Sequence, residues 1–233
     1  MRPWIHVRSL TIFLFAMIVP VCAAATVPSS QQVDRDLMEC SVGRLHQLYR
    51  NHRYTVTQVT QWYLDRITRY DGTYKALLFV DEKGALARAA EEDAMPASQR
   101  NGLLWGVPIV IKANTSVKSW LTSAGWRGYT IEGKELISTR DALVVTRLRE
   151  AGAVLLGQTN MPDFAASDTN ISTAGGRTGD AYDVRFSPGG SSGGTATAVA
   201  ANFAMLGTGT DTANSIRQPA ANNSLVGFCQ RAG

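Results

Sequence analysis

Two serines stand in separate Gly/Ser/Thr-rich turns, Ser191 in SPGGSSGG (187–194) and Ser215 in GTGTDTANSIRQPA (207–220). A serine hydroxyl is a poor nucleophile until a positioned base takes its proton, so the base decides the reaction class. The run 189–193, GGSSG, fits the nucleophile elbow G-x-S-x-G, which needs an acid and then a histidine further along the chain. All three histidines, His6, His46 and His52, precede it, and that excludes the elbow. A glycine turn before a helix can also cradle phosphate. A P-loop, however, places Lys and Ser/Thr straight after its last glycine, where this chain has Thr195-Ala196. A plain glycine linker is the third reading. Against it stand Pro188 on one side, an apolar helical run on the other, and the second serine turn downstream.

What remains as a base is lysine. Beyond residue 25 the chain has Lys75, Lys83, Lys112, Lys118 and Lys134. Of these, Lys112 alone ends an apolar strand pattern, GVPIVIK (106–112), where desolvation favours the neutral amine. A neutral amine accepts a proton from a hydroxyl; a solvated ammonium does not. Taken singly, Lys112 reads as a strand-end lysine with its head in water. The two serine turns reverse that preference.

The elements that must hold these groups alternate. Residues 42–49 predict a short helix, and Thr55 caps a longer one with a stripe of Val56, Val59, Tyr63, Leu64 and Ile67, ended by Asp71-Gly72. Residues 76–80 read as a strand, 82–94 as a helix, 107–111 as a buried strand, 141–151 as a helix stopped by Gly152, and 153–156 as a second buried strand. Residues 165–194 are loops, and 195–203 a helix. Helix and strand in turn predict an α/β fold, a mixed β-sheet core flanked by helices.

The 233 residues, 45% hydrophobic, suffice for a real core. Residues 1–25, with Arg2, His6 and Arg8 before an apolar run and then Ala23-Ala24-Ala25, read as a secretory signal peptide, which predicts export to periplasm or extracellular space. Residues 26–40 read as a polar lead-in, in part disordered. Without Arg2 and Arg8, 21 basic residues face 19 acidic ones, so the formal charge of +4 says little about partners. There is no basic run with interleaved aromatics to suggest nucleic acid, no span to hold the chain in a membrane once the leader is gone, and no zinc-spaced Cys/His cluster. No cofactor is expected. Cys40 and Cys229 could pair in an oxidising compartment.

Together the segments resemble the amidase signature family of serine amidohydrolases. The likeness runs from about residue 42 to 228 and is densest over 187–227. GGSSGG followed by GTDTxxSIRxPA, with the serines 24 residues apart, carries it. GVPIVIK and AGAVLLGQTNMPDFA (151–165) add to it. The resemblance implies a Ser–cis-Ser–Lys triad of Ser215 as nucleophile, Ser191 after a cis peptide as relay, and Lys112 as base. It implies an oxyanion hole from the backbone N–H groups of Thr212, Ala213, Asn214 and Ser215. Asp211 and Arg217 match positions that buttress the nucleophile turn, and Ser192 a serine that seats the lysine. The chain departs from the family at Ala113, where an acid is common, at Ala213-Asn214 in place of Gly-Gly, and at Asp180 in place of asparagine. The match stops near Phe228 and residues 229–233 diverge, which implies a domain incomplete on its C-terminal side, with open sheet edges. The implied activity is hydrolysis of a small-molecule carboxamide to an acid and ammonia or an amine. An inactive remnant of such an amidase, or a secreted anion-binding protein, are the alternatives.

Overall fold

The computed structural model describes residues 29–230; the leader-like residues 1–25 lie outside them. Its elements are helices α1 (Ser30–Leu37), α2 (Val42–Arg50) and α3 (Val56–Tyr74), strand β1 (Leu77–Val80), α4 (Glu82–Ala94), β2 (Val107–Lys112), α5 (Leu143–Glu150), β3 (Ala153–Thr159), the short strands β4 (Ile171–Ser172) and β5 (Gly176–Arg177), α6 (Gly193–Ala200), β6 (Leu206–Gly207) and α7 (Arg217–Asn222). The fold is mixed α/β. A four-stranded sheet has the order β1-β3-β2-β6. The strands β3, β2 and β6 run parallel, and β1 is antiparallel to β3.

Both β2 and β3 are buried along their whole length. That is why they read as continuous apolar runs, as strands covered on both faces do. Val107, Ile109, Val110 and Ile111 of β2 and Ala153, Val154, Leu155 and Leu156 of β3 share one core with Val59, Tyr63 and Ala89 from the helices and with Phe203. An irregularity between Ile109 and Val110 skips one residue of β3 and sets Lys112 opposite Thr159. The lysine thus leaves the sheet at a fixed register.

Three local outcomes differ from the sequence reading. Residues 30–37, taken as lead-in, form α1, because Ser29 caps Gln32 N and the helix buries Leu37 completely. Helix α3 passes through Asp71-Gly72 to Tyr74 and ends with Lys75 in the left-handed region, φ 54°. The Asp71 carboxylate instead accepts from Ala76 N and Leu77 N at 2.7 and 3.2 Å, closing the turn into β1. Within the predicted loop 165–194 a small hairpin forms from β4 and β5.

Helix α6 lies against β1, β2, β3 and β6. Its glycine start is required by close approach: a Cβ on Gly194 would overlap the backbone oxygens of Asn160 and Ala76. Among the described residues no strand pairs with the outer edge of β6, and Leu206 is 41% exposed. Beside it a cavity of about 620 Å³ is lined by Val199, Met205, Leu206, Ile216, Leu225 and Phe228. Cys40 and Cys229 are both free thiols.

Candidate active site

The site forms where β2 ends, where α6 begins, and where the chain turns between β6 and α7. Lys112 is fully buried. Its Nζ lies 2.6 Å from Ser191 Oγ and 2.9 Å from Thr210 Oγ1. Desolvation pushes the lysine down from its usual 10.5 to about 8, against the nearby Asp211 carboxylate, which pulls it back up. One pH unit below such a value about a tenth of the amine is neutral, enough to serve as base near neutrality.

Ser191 is likewise sealed from solvent and follows a cis Gly190–Ser191 peptide. The segment from Ser167 to Asp168 packs against this turn so closely that a Cβ on Gly190 would meet Ser167 O at 2.6 Å. Behind it, Asn170 Oδ1 accepts from Gly193 N at 3.1 Å and fixes the start of α6. Thr195 Oγ1 ties Thr159 Oγ1 on β3, at 2.7 Å, to the Thr208 carbonyl at 3.0 Å.

Ser215 precedes α7 and is half-buried. Its carbonyl accepts from Ser192 N at 3.1 Å, so the two serine turns are stitched together through the backbone. Among the described residues Ser215 Oγ makes no hydrogen bond, nor do the N–H groups of Thr212, Ala213, Asn214 and Ser215. Of the triad implied by the resemblance, the Lys112–Ser191 half is a formed hydrogen bond and the Ser191–Ser215 half is not. Ala213 and Asn214 both keep negative φ, so this backbone conformation does not require the Gly-Gly usual there.

Asp211 and Arg217 form an ion pair at 3.2 Å, with the carboxylate nearly buried. Asp211 Oδ2 also accepts from Ile216 N and Arg217 N, at 3.1 and 3.3 Å, and Arg217 Nη2 donates to the Ala213 carbonyl. The carboxylate and its arginine therefore clamp the turn that carries Ser215. The bond from Arg217 is the main reason that the Asp211 carboxyl is held far below the usual range. A depressed carboxyl stabilises the fold above its unfolded value of about 3.9, and that stabilisation fades as the pH falls through the folded value. In Asp211→Asn the gap in Tm from wild type is accordingly expected to narrow below about pH 4. Lys112 should titrate lower than in wild type, because a negative neighbour has been removed. Thermal scans across pH and an NMR titration of the lysine 13Cε signals check both.

Among the described residues Ser192 makes no hydrogen bond to the lysine and reaches it through Thr210. Its Oγ lies 3.4 Å from Thr210 N and 3.5 Å from Thr210 O. The second partner of Lys112 is Thr210, which also lies 3.1 Å from Asn114 Nδ2. Sequence reasoning passed over both residues. Their signal is weak: Thr210 comes directly before the clamp residue Asp211, and Asn114 two residues after the lysine. Asp180, where asparagine is usual, works only as an acceptor, from Tyr182 N at 2.9 Å, which a carboxylate does as well as an amide. Among the described residues no cluster of metal-ligating side chains occurs.

A family model described as Amidase matches residues 58–229. A glutamyl-tRNA(Gln) amidotransferase subunit from Acidothermus cellulolyticus is 41% identical over 193 residues, which is 82% of this chain and 37% of that protein. Among solved structures, the native peptide amidase of Stenotrophomonas maltophilia superposes with a TM-score of 0.73 at 38% identity, over 80% of this chain and 39% of that one. An amidase family protein of Bacillus anthracis superposes with a TM-score of 0.75 at 30% identity, over 81% and 38%. The chain thus spans less than two fifths of the length of these relatives. The match takes in the lysine strand and both serine turns, and on this evidence the chain belongs to the amidase family.

Proposed function

We propose that this chain carries the catalytic part of an amidase that hydrolyses a small or peptidic carboxamide through an acyl-serine. Ser215 Oγ attacks the carbonyl carbon while its proton passes to Ser191 Oγ and the Ser191 proton to neutral Lys112. The Ser191–Ser215 half of the relay closes when the unengaged Ser215 hydroxyl turns towards Ser191. The N–H groups of 212–215 receive the negative charge on the carbonyl oxygen, the role for which fixed, unpaired backbone donors are suited. Lys112 then returns the proton through Ser191 to the departing nitrogen. The C–N bond breaks, ammonia or an amine leaves, and water hydrolyses the ester by the same relay. The 2.6 Å bond between a sealed lysine and a sealed serine is the observation that supports this most. The same proposal places the protein outside the cytoplasm, on the strength of residues 1–25.

A fluorophosphonate probe tests the reading, together with ammonia release from primary carboxamides. Labelling of the wild type that vanishes in Ser215→Ala is the expected result. A folded chain that is never labelled would instead be a remnant without activity. Absence of labelling combined with a phosphate-dependent rise in Tm would favour an anion holder built on the same free N–H groups.

A further inference from the structure

We propose that the cavity between the end of α2 and the turn leading into β2 is a second ligand site, which takes a small molecule bearing a phosphate group. The inference stands apart from the amidase reading. Trp105 precedes β2 and Lys112 ends it, which puts the two sites roughly 20 Å apart at about 3.3 Å per strand residue. The cavity measures about 500 Å³, within the range of sites for small ligands. Among the described residues its wall holds four basic side chains, His46, Arg50, His52 and Arg100, together with Trp105 and no carboxylate.

A single basic residue at a helix C-terminus needs no ligand, because it offsets the helix dipole, and Arg50 ends α2. Arg100 arrives from a different segment. Its guanidinium donates to the carbonyls of Met95 and Asp93, each at 2.7 Å, and lies 5.4 Å from the centre of the Trp105 ring. An arginine has five N–H donors, so most of them stay free. Arg50 and His52 are exposed, and their side chains make no hydrogen bond among the described residues. The neighbouring carboxylates are engaged elsewhere. Glu92 accepts from Arg88 at 2.6 Å and from Gly106 N at 2.7 Å, and Asp93 accepts from Val56 N and Thr57 N at 2.7 and 2.9 Å. Trp105 adds an independent sign. It is only 8% exposed, and its Nε1–H is buried without an acceptor among the described residues, a condition native structures rarely leave uncompensated. An anion oxygen at the edge of the ring supplies that acceptor. Donors from Arg50, His52, Arg100 and Trp105 outnumber the two oxygens of one carboxylate, whereas a phosphate ester offers three strong acceptors. Positive groups gathered without a counter-charge draw such an anion in.

The test titrates the protein at constant ionic strength with inorganic pyrophosphate, glycerol 2-phosphate and citrate, a carboxylate comparator. The readout is the indole 1H–15N NMR signal of Trp105, assigned by its loss in Trp105→Phe. Both phosphate compounds should shift that signal saturably, and citrate should need about tenfold more. Arg50→Gln should raise the pyrophosphate midpoint by about tenfold, the effect of losing one charged hydrogen bond, and His52→Gln should raise it by a smaller factor. Neither side chain holds the described fold together, and thermal scans check that both variants stay folded. The inference is overturned if the Trp105 signal does not move, or if it drifts without saturating. It is equally overturned if citrate binds as tightly as pyrophosphate, or if Arg50→Gln and His52→Gln both bind like wild type. Labelling of Ser215 does not enter this readout, so the failure of either reading leaves the other standing.

Discussion

Lys112→Ala is expected to lower the rate of Ser215 labelling and of amide hydrolysis by about 10³-fold, within the span of a well-placed general base. Among the described residues no other base is hydrogen-bonded to Ser191: Thr210 is an alcohol, and the carboxyl of Asp211 is engaged by Arg217 and two backbone N–H groups. The pH profile gives a second reading. In wild type the rate should rise about tenfold per pH unit up to about 8 and then level, following deprotonation of the buried amine. Lys112→Ala should lose that dependence along with the rate. Activity kept within about tenfold of wild type at pH 7 would remove lysine from the mechanism. Circular dichroism guards against the trivial outcome, since the substitution also leaves a void at the end of β2.

Ser191→Ala is expected to slow labelling by about 10²- to 10³-fold with the affinity for reversible ligands unchanged, because the relay hydroxyl is lost while the 212–215 turn remains. Lys112 then faces a methyl group where its 2.6 Å partner stood, and its proton-accepting pair has no route to Ser215. A loss of less than fivefold would mean that lysine reaches the nucleophile directly or through water. Single-turnover labelling, which isolates the attack step, is the measurement to use.

Much of the frame that holds these residues could be read in advance, for reasons that vary from element to element. The buried strands β2 and β3 were legible because both faces are covered and the apolar run is unbroken. The Thr55 cap and its stripe gave α3 its start, since Thr55 and Gln58 form a reciprocal capping box. The end of α3 was not legible, because Asp71 serves the following turn through its side chain and Gly72 continues the helix. The helix α1 hid behind a polar sequence in which Leu37 alone is fully buried. At the site, the lysine and the Asp211–Arg217 clamp followed from strand pattern and family likeness. Thr210 and Asn114 did not, because Thr210 reaches Lys112 and Asn114 only when turns 98 and 96 residues apart come together.

The parts of this centre differ in how firmly they are held. Lys112 and Ser191 are embedded between a central strand and a helix, whereas residues 212–214 lie on the surface, held by Arg217 on the Ala213 carbonyl and by Gln218 N on the Asn214 carbonyl. Under the proposed mechanism, fraying of that short span would disarm Ser215 and leave the interior pair intact. On that mechanism the order of a handful of surface residues sets how long the chain stays competent, and it could look fully native to bulk spectroscopy while its chemistry is switched off.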